Sequence, residues 1–480
     1  MTDTILNGQV AAAPREGVLV RLSQTMVAFS ERWFPDAYIF VLLATVAVAL
    51  AAIVHGGSPV AVSAAFGEGF WSIIPFTMQM ALVAIGGYIV ALSPPVAALM
   101  RRAAAVPTTG RGAVVFVGVV SILLSLVNWG VSLIFSGLLV REIARRKDIR
   151  LDYRAAGAAG YLGLGFGFTL GISSSAAQLQ ANPASIPPSL MPITGVISFY
   201  ETILTWQNLT VIVVGTLLSA AICYYTTPSD AAAKTAADLG VDLIDAKVEQ
   251  KPTRPGDYLE FSPILTILIV VLAAGWFYET FKSGNPLITM SGLNTYNFVF
   301  LLVGALLHWR PRSFLVSFSQ AMPSVAGVLL QFPFYGGIAY MLTRVKTEGA
   351  SLSDTIAHWF VSLASDTSVF SFIVGIYSAV LGFFIPSAGG KWIIEAPYIM
   401  KAANEIGAHL GWTVMVYNIA ETLPNFINPF WMLPLLGVLK LKSKDLIGYT
   451  SMQFFIHFPV VMLLAVALMH TFTYRAPVIP

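Results

Sequence analysis

Long apolar runs recur along this chain from Phe34 to Phe472, and they constrain the fold more than any other feature. The sequence is 56% hydrophobic and only 11% charged, with a mean hydropathy of +0.76. A soluble protein carries roughly twice that share of charged residues. A run of about 20 apolar residues crosses the hydrocarbon core of a bilayer as one helix. The sequence therefore predicts an all-α polytopic protein embedded in the lipid bilayer, with about nine spanning helices.

Charge and cysteine usage exclude several kinds of partner and site. The net charge of +3 gives no support for nucleic-acid binding, so none is expected. The single cysteine, Cys223, lies in an apolar run and excludes a disulfide or a cysteine metal site. The chain has no nucleotide-binding loop of the Gly-x-x-x-x-Gly-Lys-Ser/Thr type, so ATP-driven pumping is not expected. We also expect no cofactor.

Residues 370–404 contain two short apolar arms separated by a polar break. Each arm has about fifteen residues and would rise ~22 Å as a helix, less than the ~30 Å core of a bilayer. The break reads Ile385-Pro386-Ser387-Ala388-Gly389-Gly390-Lys391. Such a pattern is typical of a re-entrant hairpin, which enters and leaves the membrane on one side. Its tip would offer backbone N–H groups, a hydroxyl and a lysine, all suited to an anion.

Residues 113–140 predict a second hairpin because both of their flanks are basic. Arginines precede this stretch between Arg101 and Arg111, and a larger basic group follows between Arg141 and Arg154. Because basic loops favour the cytoplasm, a simple span would place the larger group outside. A return at Asn128-Trp129-Gly130 keeps both flanks inside. With this hairpin the N-terminus is expected on the cytoplasmic side and the C-terminus on the outside.

The two hairpins predict an inverted repeat. Residues 1–226 form the first repeat, with TM1, TM2, the inner hairpin 113–140, TM3 and TM4. Residues 227–260 form a cytoplasmic linker, and 261–293 contain TM5 as a connecting helix. Residues 294–480 form the second repeat, with TM6, TM7, the outer hairpin 370–404, TM8 and TM9. Secondary transporters commonly place their substrate at the interface of such repeats.

Interrupted segments supply the candidate binding residues. TM3 (Ala155–Gln180) is interrupted at Gly171–Ser175, whereas TM8 (Trp412–Leu439) is expected to be continuous and His55–Gly69 a loop. For each glycine and serine, close helix packing is the alternative role. The substrate-binding candidates are Asn128, Trp129, Gly130, Ser132, Ser173, Ser174, Ser175, Ser387, Gly389, Gly390, Lys391, Asn425 and Asn428. The coupling-ion candidates are Glu395, Glu421 and Gln178, with Na⁺ as the one metal ion considered.

Lys391 has more than one interpretation. A charge at bilayer depth costs at least a few kcal/mol, so it normally has a partner or a function. Lys391 either faces an anionic substrate, pairs with Glu395 four residues later, or extends to the membrane surface. Glu421 also has two interpretations: it is either an ion-pair partner or a site for a cation or proton.

Several stretches spread over nearly the whole chain carry a family resemblance. They are residues 32–36, 67–71, 127–130, 144–146, 331–338, 385–392 and 428–434. In these stretches the chain resembles the bacterial short-chain fatty acid transporters, the acetoacetate- and butyrate-type permeases of the ion transporter superfamily. The resemblance implies two opposed hairpins, an elevator-like transport domain and a homodimer. The chain departs from the family pattern at Ala388, Lys391 and Glu395, where glycine, histidine and glutamine are usual.

These features favour a secondary active transporter, not an enzyme, for small monocarboxylates such as acetate, butyrate or acetoacetate. Coupling would be to H⁺ or Na⁺, and helix N-termini with tip amides would hold the carboxylate. A C4-dicarboxylate carrier is the nearest alternative and would need a second cation beside Lys391. A membrane-embedded enzyme would need a nucleophile–base pair or a metal cluster. A channel would favour continuous polar stripes.

Overall fold

The computed structural model describes residues 32, 37–243, 252–282, 289–290, 292–347, 349–385, 387–428 and 430–479. Most of the predicted motif 32–36, part of the predicted linker 227–260, and two prolines of the predicted site motifs, Pro386 and Pro429, lie outside these residues. The described chain is helical apart from loops and a two-residue antiparallel pair, β1 (Lys346–Thr347) with β2 (Ala350–Ser351).

The first half contains ten α-helices among the described residues. In chain order they are α1 (Ala37–Val54), α2 (Pro59–Ser72), α3 (Ile74–Leu92), α4 (Pro94–Ala103), α5 (Gly110–Val127), α6 (Trp129–Ala144), α7 (Tyr153–Gly160), α8 (Ser175–Ala181), α9 (Met191–Thr194) and α10 (Trp206–Thr226). Between α7 and α8 the chain forms a π-helical turn at Gly163–Gly167 and a 3-10 turn at Phe168–Leu170.

The connecting region and the second half contain the remaining described helices. They are α11 (Asp257–Phe261), α12 (Ile264–Phe281), α13 (Leu293–His308), α14 (Pro311–Ala321), α15 (Ala326–Arg344), α16 (Leu352–Leu363), α17 (Thr367–Phe384), α18 (Ala388–Ile406), α19 (Leu410–Thr422), α20 (Leu433–Leu439) and α21 (Ser443–Met469). Short 3-10 turns at Leu423–Phe426 and Phe430–Met432 connect α19 to α20.

Apolar helices long enough to cross a membrane are frequent. Within the described ranges, seven segments meet this length and composition: Ile74–Leu92, Gly110–Val127, Tyr153–Ala181, Trp206–Thr226, Ile264–Phe281, Pro311–Arg344 and Ser443–Met469. Shorter apolar helices cover Tyr38–Val54, Leu293–His308 and Thr367–Phe383. The prediction of an all-α polytopic membrane protein is confirmed.

Each arm of the two predicted hairpins begins at a side chain that caps the helix. The oxygens of Thr109, Asn128, Asp366 and Ser387 accept hydrogen bonds from backbone N–H groups in the first turns of α5, α6, α17 and α18. Such caps satisfy donors that have no partner within the helix. The chain can therefore end one arm and begin the next within a few residues, as it does at Asn128.

The outer ends of the first hairpin lie together, as a return of the chain requires, and the arms of the second hairpin are in contact midway along their length. The Arg146 guanidinium, after α6, donates to the carbonyl oxygens of Ala104 and Pro107, before α5, both at 2.8 Å. In the second hairpin the hydroxyls of Tyr377 in α17 and Tyr398 in α18 lie 2.9 Å apart. Both predicted hairpins thus consist of two helical arms packed side by side.

Two helix boundaries differ from the sequence expectation. Most of His55–Gly69, expected as a loop, is helical, because Ser58 caps α2 and Pro59 opens it. TM8 was expected to be continuous over Trp412–Leu439, but α19 ends at Thr422 and α20 begins at Leu433. Pro424, which lacks a backbone N–H, lies in the 3-10 turn that follows α19. TM3 and TM8 are therefore both broken helices.

The helices form two groups. In the first group α15 packs on α1, α2 and α3, while α3 also contacts α13 and α14. The second group contains both hairpins, the broken helices, α10 and α21. Its contacts repeat between the halves: the first hairpin arms, α5 and α17, pack on α10 and α21. The second arms, α6 and α18, pack on α3 and α15, respectively, and so connect the two groups.

Candidate functional site

A cavity with about 470 Å³ of free space lies where the second hairpin, both broken helices and the first group meet. Among the described residues, the lining of this cavity contains no charged side chain and is mostly apolar. The lining residues are Met80, Trp129, Leu164, Phe168, Ser175, Val328, Phe332, Ser387, Ala388, Gly389, Asn425 and Trp431.

The tip of the second hairpin supplies the polar side of this cavity. Ser387 precedes α18, and its Oγ accepts a hydrogen bond from the N–H of Gly390 at 3.2 Å. Gly390 has to be glycine, because a Cβ there would lie 2.1 Å from the Tyr335 ring of α15. The missing side chain lets the tip approach α15 closely. The N-terminus of α18 is therefore held against the cavity, where its unpaired N–H groups favour an anion.

The tip of the first hairpin is anchored rather than open. The Asn128 amide donates to the carbonyl oxygen of Val83 at 3.2 Å and to the Tyr296 hydroxyl at 3.1 Å, and its oxygen caps α6. A Cβ on Gly87 would lie 2.0 Å from that oxygen, so α3 and the tip are in close contact. Asn128 is fully buried, and Trp129 is the tip residue that reaches the cavity, against Trp431.

The break in TM3 is joined to the first tip and to TM8. The N–H of Trp129 donates to Ser173 Oγ at 2.9 Å, and the Asn418 amide of α19 donates to Ser174 Oγ at 3.0 Å. The Asn425 amide donates to the Leu164 carbonyl at 3.1 Å. These bonds hold the two breaks beside each other, so that Ser175 and Asn425 both line the cavity. Backbone of this kind is tolerated at membrane depth where it is buried in protein.

Lys391 does not line the cavity. Its side chain is fully buried behind the tip, and Nζ donates to the Ser378 carbonyl at 2.6 Å. Nζ also lies 3.4 Å from Glu395 Oε1 and 4.8 Å from the centre of the Tyr417 ring. Glu421 is buried on α19 in the same region. The predicted ion pair with Glu395 is thus present, and the ammonium faces away from the cavity lining.

The remaining predicted residues serve internal contacts. The Gln178 amide donates to the Ile172 carbonyl at 2.6 Å, and the Asn428 amide donates to the Phe383 carbonyl at 3.1 Å. The Ser132 hydroxyl donates to the Ser121 carbonyl at 2.7 Å. A Cβ on Gly130 would lie 3.0 Å from the Ala84 carbonyl oxygen, which indicates close packing on α3.

The cavity thus combines some predicted residues with others that the sequence did not single out. The predicted residues that line it are Trp129, Ser175, Ser387, Gly389 and Asn425. The predicted substrate-binding residues outside its lining are Asn128, Gly130, Ser132, Ser173, Ser174, Gly390, Lys391 and Asn428. Its apolar wall was not predicted, since Met80, Phe168 and Val328 look like ordinary residues of spanning helices. Phe332 and Trp431 did lie in stretches that carried the family resemblance.

Metal-binding side chains do not converge in the parts of the chain that the structure describes. No group of three or more His, Cys, Asp or Glu residues could hold a metal ion there. The polar groups at the cavity are hydroxyls, amides and a helix N-terminus. Such groups can bind an anion by hydrogen bonds and leave an apolar substituent against the aromatic wall.

Two solved structures share this fold. Neisseria gonorrhoeae MtrF, described as illuminating a class of antimetabolite efflux pumps, superposes with a TM-score of 0.57 at 14% identity, covering 96% of this chain and 100% of that one. The Alcanivorax borkumensis YdaH transporter, described as having an unusual topology, gives a TM-score of 0.54 at 15% identity, covering 92% and 100%. At these identities the likeness concerns the fold alone.

Sequence relatives are much closer. An Escherichia coli K12 protein provisionally named a short-chain fatty acid transporter is 33% identical over 432 residues, covering 89% of this chain and 95% of that protein. A Haemophilus influenzae protein with the same provisional name is 29% identical over 443 residues, covering 90% and 96%. The model of the family described as short chain fatty acid transporter matches residues 18–469. This chain belongs to the short chain fatty acid transporter family.

Proposed function

We propose that this transporter moves small monocarboxylates, such as acetate, butyrate or acetoacetate, by secondary active transport through the cavity between its two helix groups. The observation that carries this proposal is the composition of the cavity wall. Ser387 and the N-terminus of α18 offer hydrogen-bond donors for one carboxylate. Met80, Phe332 and the other apolar lining residues would surround a short hydrocarbon tail.

The same wall argues against a C4-dicarboxylate as the preferred substrate. Two carboxylates would have to leave water together, and burying a charge without a partner is costly. Among the residues that the structure describes, no charged side chain lines the cavity, and Lys391 behind the tip is engaged with Glu395. A single carboxylate needs only the donors at the tip.

A second cavity supports an access route to this site. It has about 980 Å³ of free space and shares Val328, Phe332, Ser387 and Trp431 with the first. From there it extends along Pro323 and Pro434, toward the ends of α14 and α20. Substrate would enter or leave along this route.

The two helix groups support an elevator-like movement. Met80, Val328 and Phe332 of the first group form one side of the cavity, and residues of the hairpins and broken helices form the other. The second group would carry the substrate past α3 and α15, which the second hairpin arms contact. The homodimer and the coupling to H⁺ or Na⁺ belong to the same proposal.

The distribution of basic residues supports an inner-membrane orientation with a cytoplasmic N-terminus and a periplasmic C-terminus. Arg145 donates to the Leu243 carbonyl at 3.2 Å, and the Lys440 ammonium donates to the Asp242 carbonyl at 3.0 Å. Basic segments from both halves therefore meet the linker at one end of the molecule. Basic loops favour the cytoplasmic side.

A substitution that fills the cavity tests the proposal. Met80→Trp adds a large side chain to the wall and should reduce butyrate uptake by proteoliposomes at least about ten-fold, because the added volume displaces substrate. Met78→Trp is the matched control on the same helix, where the side chain is exposed, and should transport as the wild type does. Equal uptake by Met80→Trp and the wild type would contradict the proposed location.

A further inference from the structure

Three ionisable side chains lie together behind the tip of the second hairpin. Lys391 and Glu395 are on α18, and Glu421 is on α19. Their exposed fractions are 0%, 0% and 2%, so no bulk water screens them. We call these three residues the charge cluster. The ammonium of Lys391 and the carboxylate of Glu395 lie 3.4 Å apart.

Glu421 approaches the same ammonium from the neighbouring helix. A Cβ on Gly382 of α17 would lie 3.6 Å from Lys391 Nζ and 3.4 Å from the backbone oxygen of Glu421, so both residues border one point of α17. Glu421 follows Tyr417 by one helical turn, and the Tyr417 ring lies under Lys391 Nζ. Glu421 interacts electrostatically with both Lys391 and Glu395.

Hydrogen bonding leaves one carboxylate oxygen of the cluster unsatisfied. Glu395 Oε2 accepts a hydrogen bond from the Ser378 hydroxyl and Glu395 Oε1 faces the Lys391 ammonium, whereas Glu421 Oε2 is buried without a hydrogen bond. Buried acceptors without partners are uncommon in proteins. A proton on either carboxylate would supply a donor inside the cluster.

The charges of the three side chains also indicate that the cluster holds one proton. Two ionised carboxylates and one ammonium leave an uncompensated negative charge in a buried site, which is costly. One proton makes the cluster neutral. Carboxylates that interact strongly titrate together, so we assign the proton to the cluster and not to one residue.

The other titratable groups around the cluster do not balance this charge. The other titratable side chains close to the carboxylates are tyrosines, which are neutral at physiological pH. The imidazole of His457 on α21 lies away from the cluster, 2.9 Å from the Ser219 hydroxyl. The tyrosines around the two carboxylates are Tyr161, Tyr377, Tyr398 and Tyr417, and Tyr335 faces Tyr417. Toward the opposite end of α18, Lys401 forms an ion pair with Asp354 of α16, and the His358 imidazole of α16 lies 3.3 Å from the Glu405 carboxylate.

We infer that the charge cluster is the site of a coupling proton, carried by the carboxylate pair of Glu395 and Glu421 with Lys391 as the fixed counter-charge. The inference rests on the proposed function and gives its coupling ion. The cluster lies one turn behind Ser387, whose carbonyl accepts the Lys391 N–H at 2.8 Å. Movement of the tip therefore moves the cluster. One carboxylate anion and one proton cross together, and no net charge is transferred.

Glutamine at position 421 separates proton coupling from transport itself. Glu421→Gln leaves the neutral Lys391–Glu395 pair and removes the need for a proton. In proteoliposomes with an acidic exterior, the wild type should accumulate labelled butyrate, up to about ten-fold for each pH unit. Glu421→Gln should lose this accumulation and still exchange butyrate in counterflow. Protein-free liposomes correct for diffusion of the neutral acid.

Two further variants make the test specific. Glu68→Gln removes an exposed carboxylate paired with Arg344 and should accumulate butyrate as the wild type does. The double variant Lys391→Gln/Glu395→Gln removes one charge of each sign and keeps Glu421, so its uptake should still respond to the pH gradient. Loss of the response only when Glu421 is neutralised supports the inference.

Other results would overturn the inference that the charge cluster carries the coupling proton. Wild-type accumulation driven by a Na⁺ gradient and indifferent to pH would exclude the proton while leaving the proposed function intact. If Glu421→Gln accumulates butyrate as strongly as the wild type, the cluster is not the coupling site, and the proposed function again stays intact. If Glu421→Gln does not fold, a pH-sensitive dye inside wild-type proteoliposomes should record about one proton per butyrate above the protein-free rate, and none would refute the inference. Absence of wild-type counterflow would overturn the proposed function as well.

Discussion

Ser387 and Lys391 are one helical turn apart, yet their side chains have different surroundings. Ser387 precedes α18 and borders the cavity, whereas the Lys391 side chain lies between the hairpin arms and α19. The hydroxyl can meet a carboxylate without leaving its cap position. The ammonium instead compensates carboxylates of the protein. Substrate contact and charge balance are thus divided between neighbouring residues of one tip.

Removing the Ser387 hydroxyl tests the contact at the tip. Ser387→Ala should raise the KM for butyrate uptake about five-fold, since a hydrogen bond contributes about 1 kcal/mol. Ser371→Ala is the matched control: this serine is buried on α17 and bonds only the Thr367 carbonyl of its own helix. An unchanged KM in Ser387→Ala would remove this hydroxyl from the site.

Individual site residues could be predicted only in part. The polar break at 385–391 identified Ser387 and Gly389, because few other features place a hydroxyl and glycines between two apolar arms. It could not show which way Lys391 points, since that depends on the helix that packs behind the tip. Asn128 looked equivalent to Ser387. However, its side-chain amide donates its hydrogen bonds to the Val83 carbonyl and the Tyr296 hydroxyl, which are distant in sequence. Asn418 resembled any polar residue of a spanning helix.

The hairpins are the elements that give the site its geometry. Each places a helix N-terminus at the end of a short first arm and packs its second arm on the first helix group. Local sequence was enough to predict both, because arm length, basic flanks and breaking residues lie within each segment. The break in TM8 was not predicted. It contains polar and proline residues, but the apolar segments on its two sides are together long enough for one spanning helix. Contacts with Leu164 and Ser174 of TM3 hold this region in place.

Cysteine labelling tests whether the first hairpin returns to its side of entry. Thr108→Cys and Lys147→Cys, each in a Cys223→Ala background, should both react only with reagent on the cytoplasmic side, because Arg146 joins these two ends. Thr108 is preferable to Gly110, where a Cβ would lie 2.4 Å from the Arg150 carbonyl. Ser365→Cys, at the predicted periplasmic end, should react only from outside. Labelling of Thr108 and Lys147 from opposite sides would mean that the segment spans the membrane.

At the scale of the whole molecule, the cavity lies between two groups of helices rather than inside one. Residues from α3 and α15 face residues from the second hairpin and both broken helices. The contacts of α6 with α3 and of α18 with α15 are those that the repeat predicted from the sequence would place at matching positions. The pairing of α2 and α1 with α15 crosses the halves, and no periodicity within either half could reveal it.

Locking the two groups together tests the elevator proposal. The double variant Tyr335→Cys/Gly390→Cys, made in the Cys223→Ala background, places two cysteines at positions that are in close contact. A Cβ at Gly390 would lie 2.1 Å from the ring of Tyr335. Oxidation should join α15 to the tip and abolish uptake, because the second hairpin can no longer slide, and a reducing agent should restore it. The reduced double variant and the single Tyr335→Cys variant, which keeps glycine at position 390, serve as controls. Uptake that continues in the cross-linked protein would show that this contact does not move.

We propose that the cavity accepts one carboxylate with a short apolar tail. Competition during counterflow measures this directly: proteoliposomes loaded with unlabelled butyrate take up labelled butyrate in the presence of excess butyrate, acetoacetate or succinate outside. The uncharged, largely apolar wall predicts that butyrate and acetoacetate reduce the labelled signal at least about ten-fold more effectively than succinate, since the second carboxylate has no cation to meet. Stronger inhibition by succinate would contradict the account.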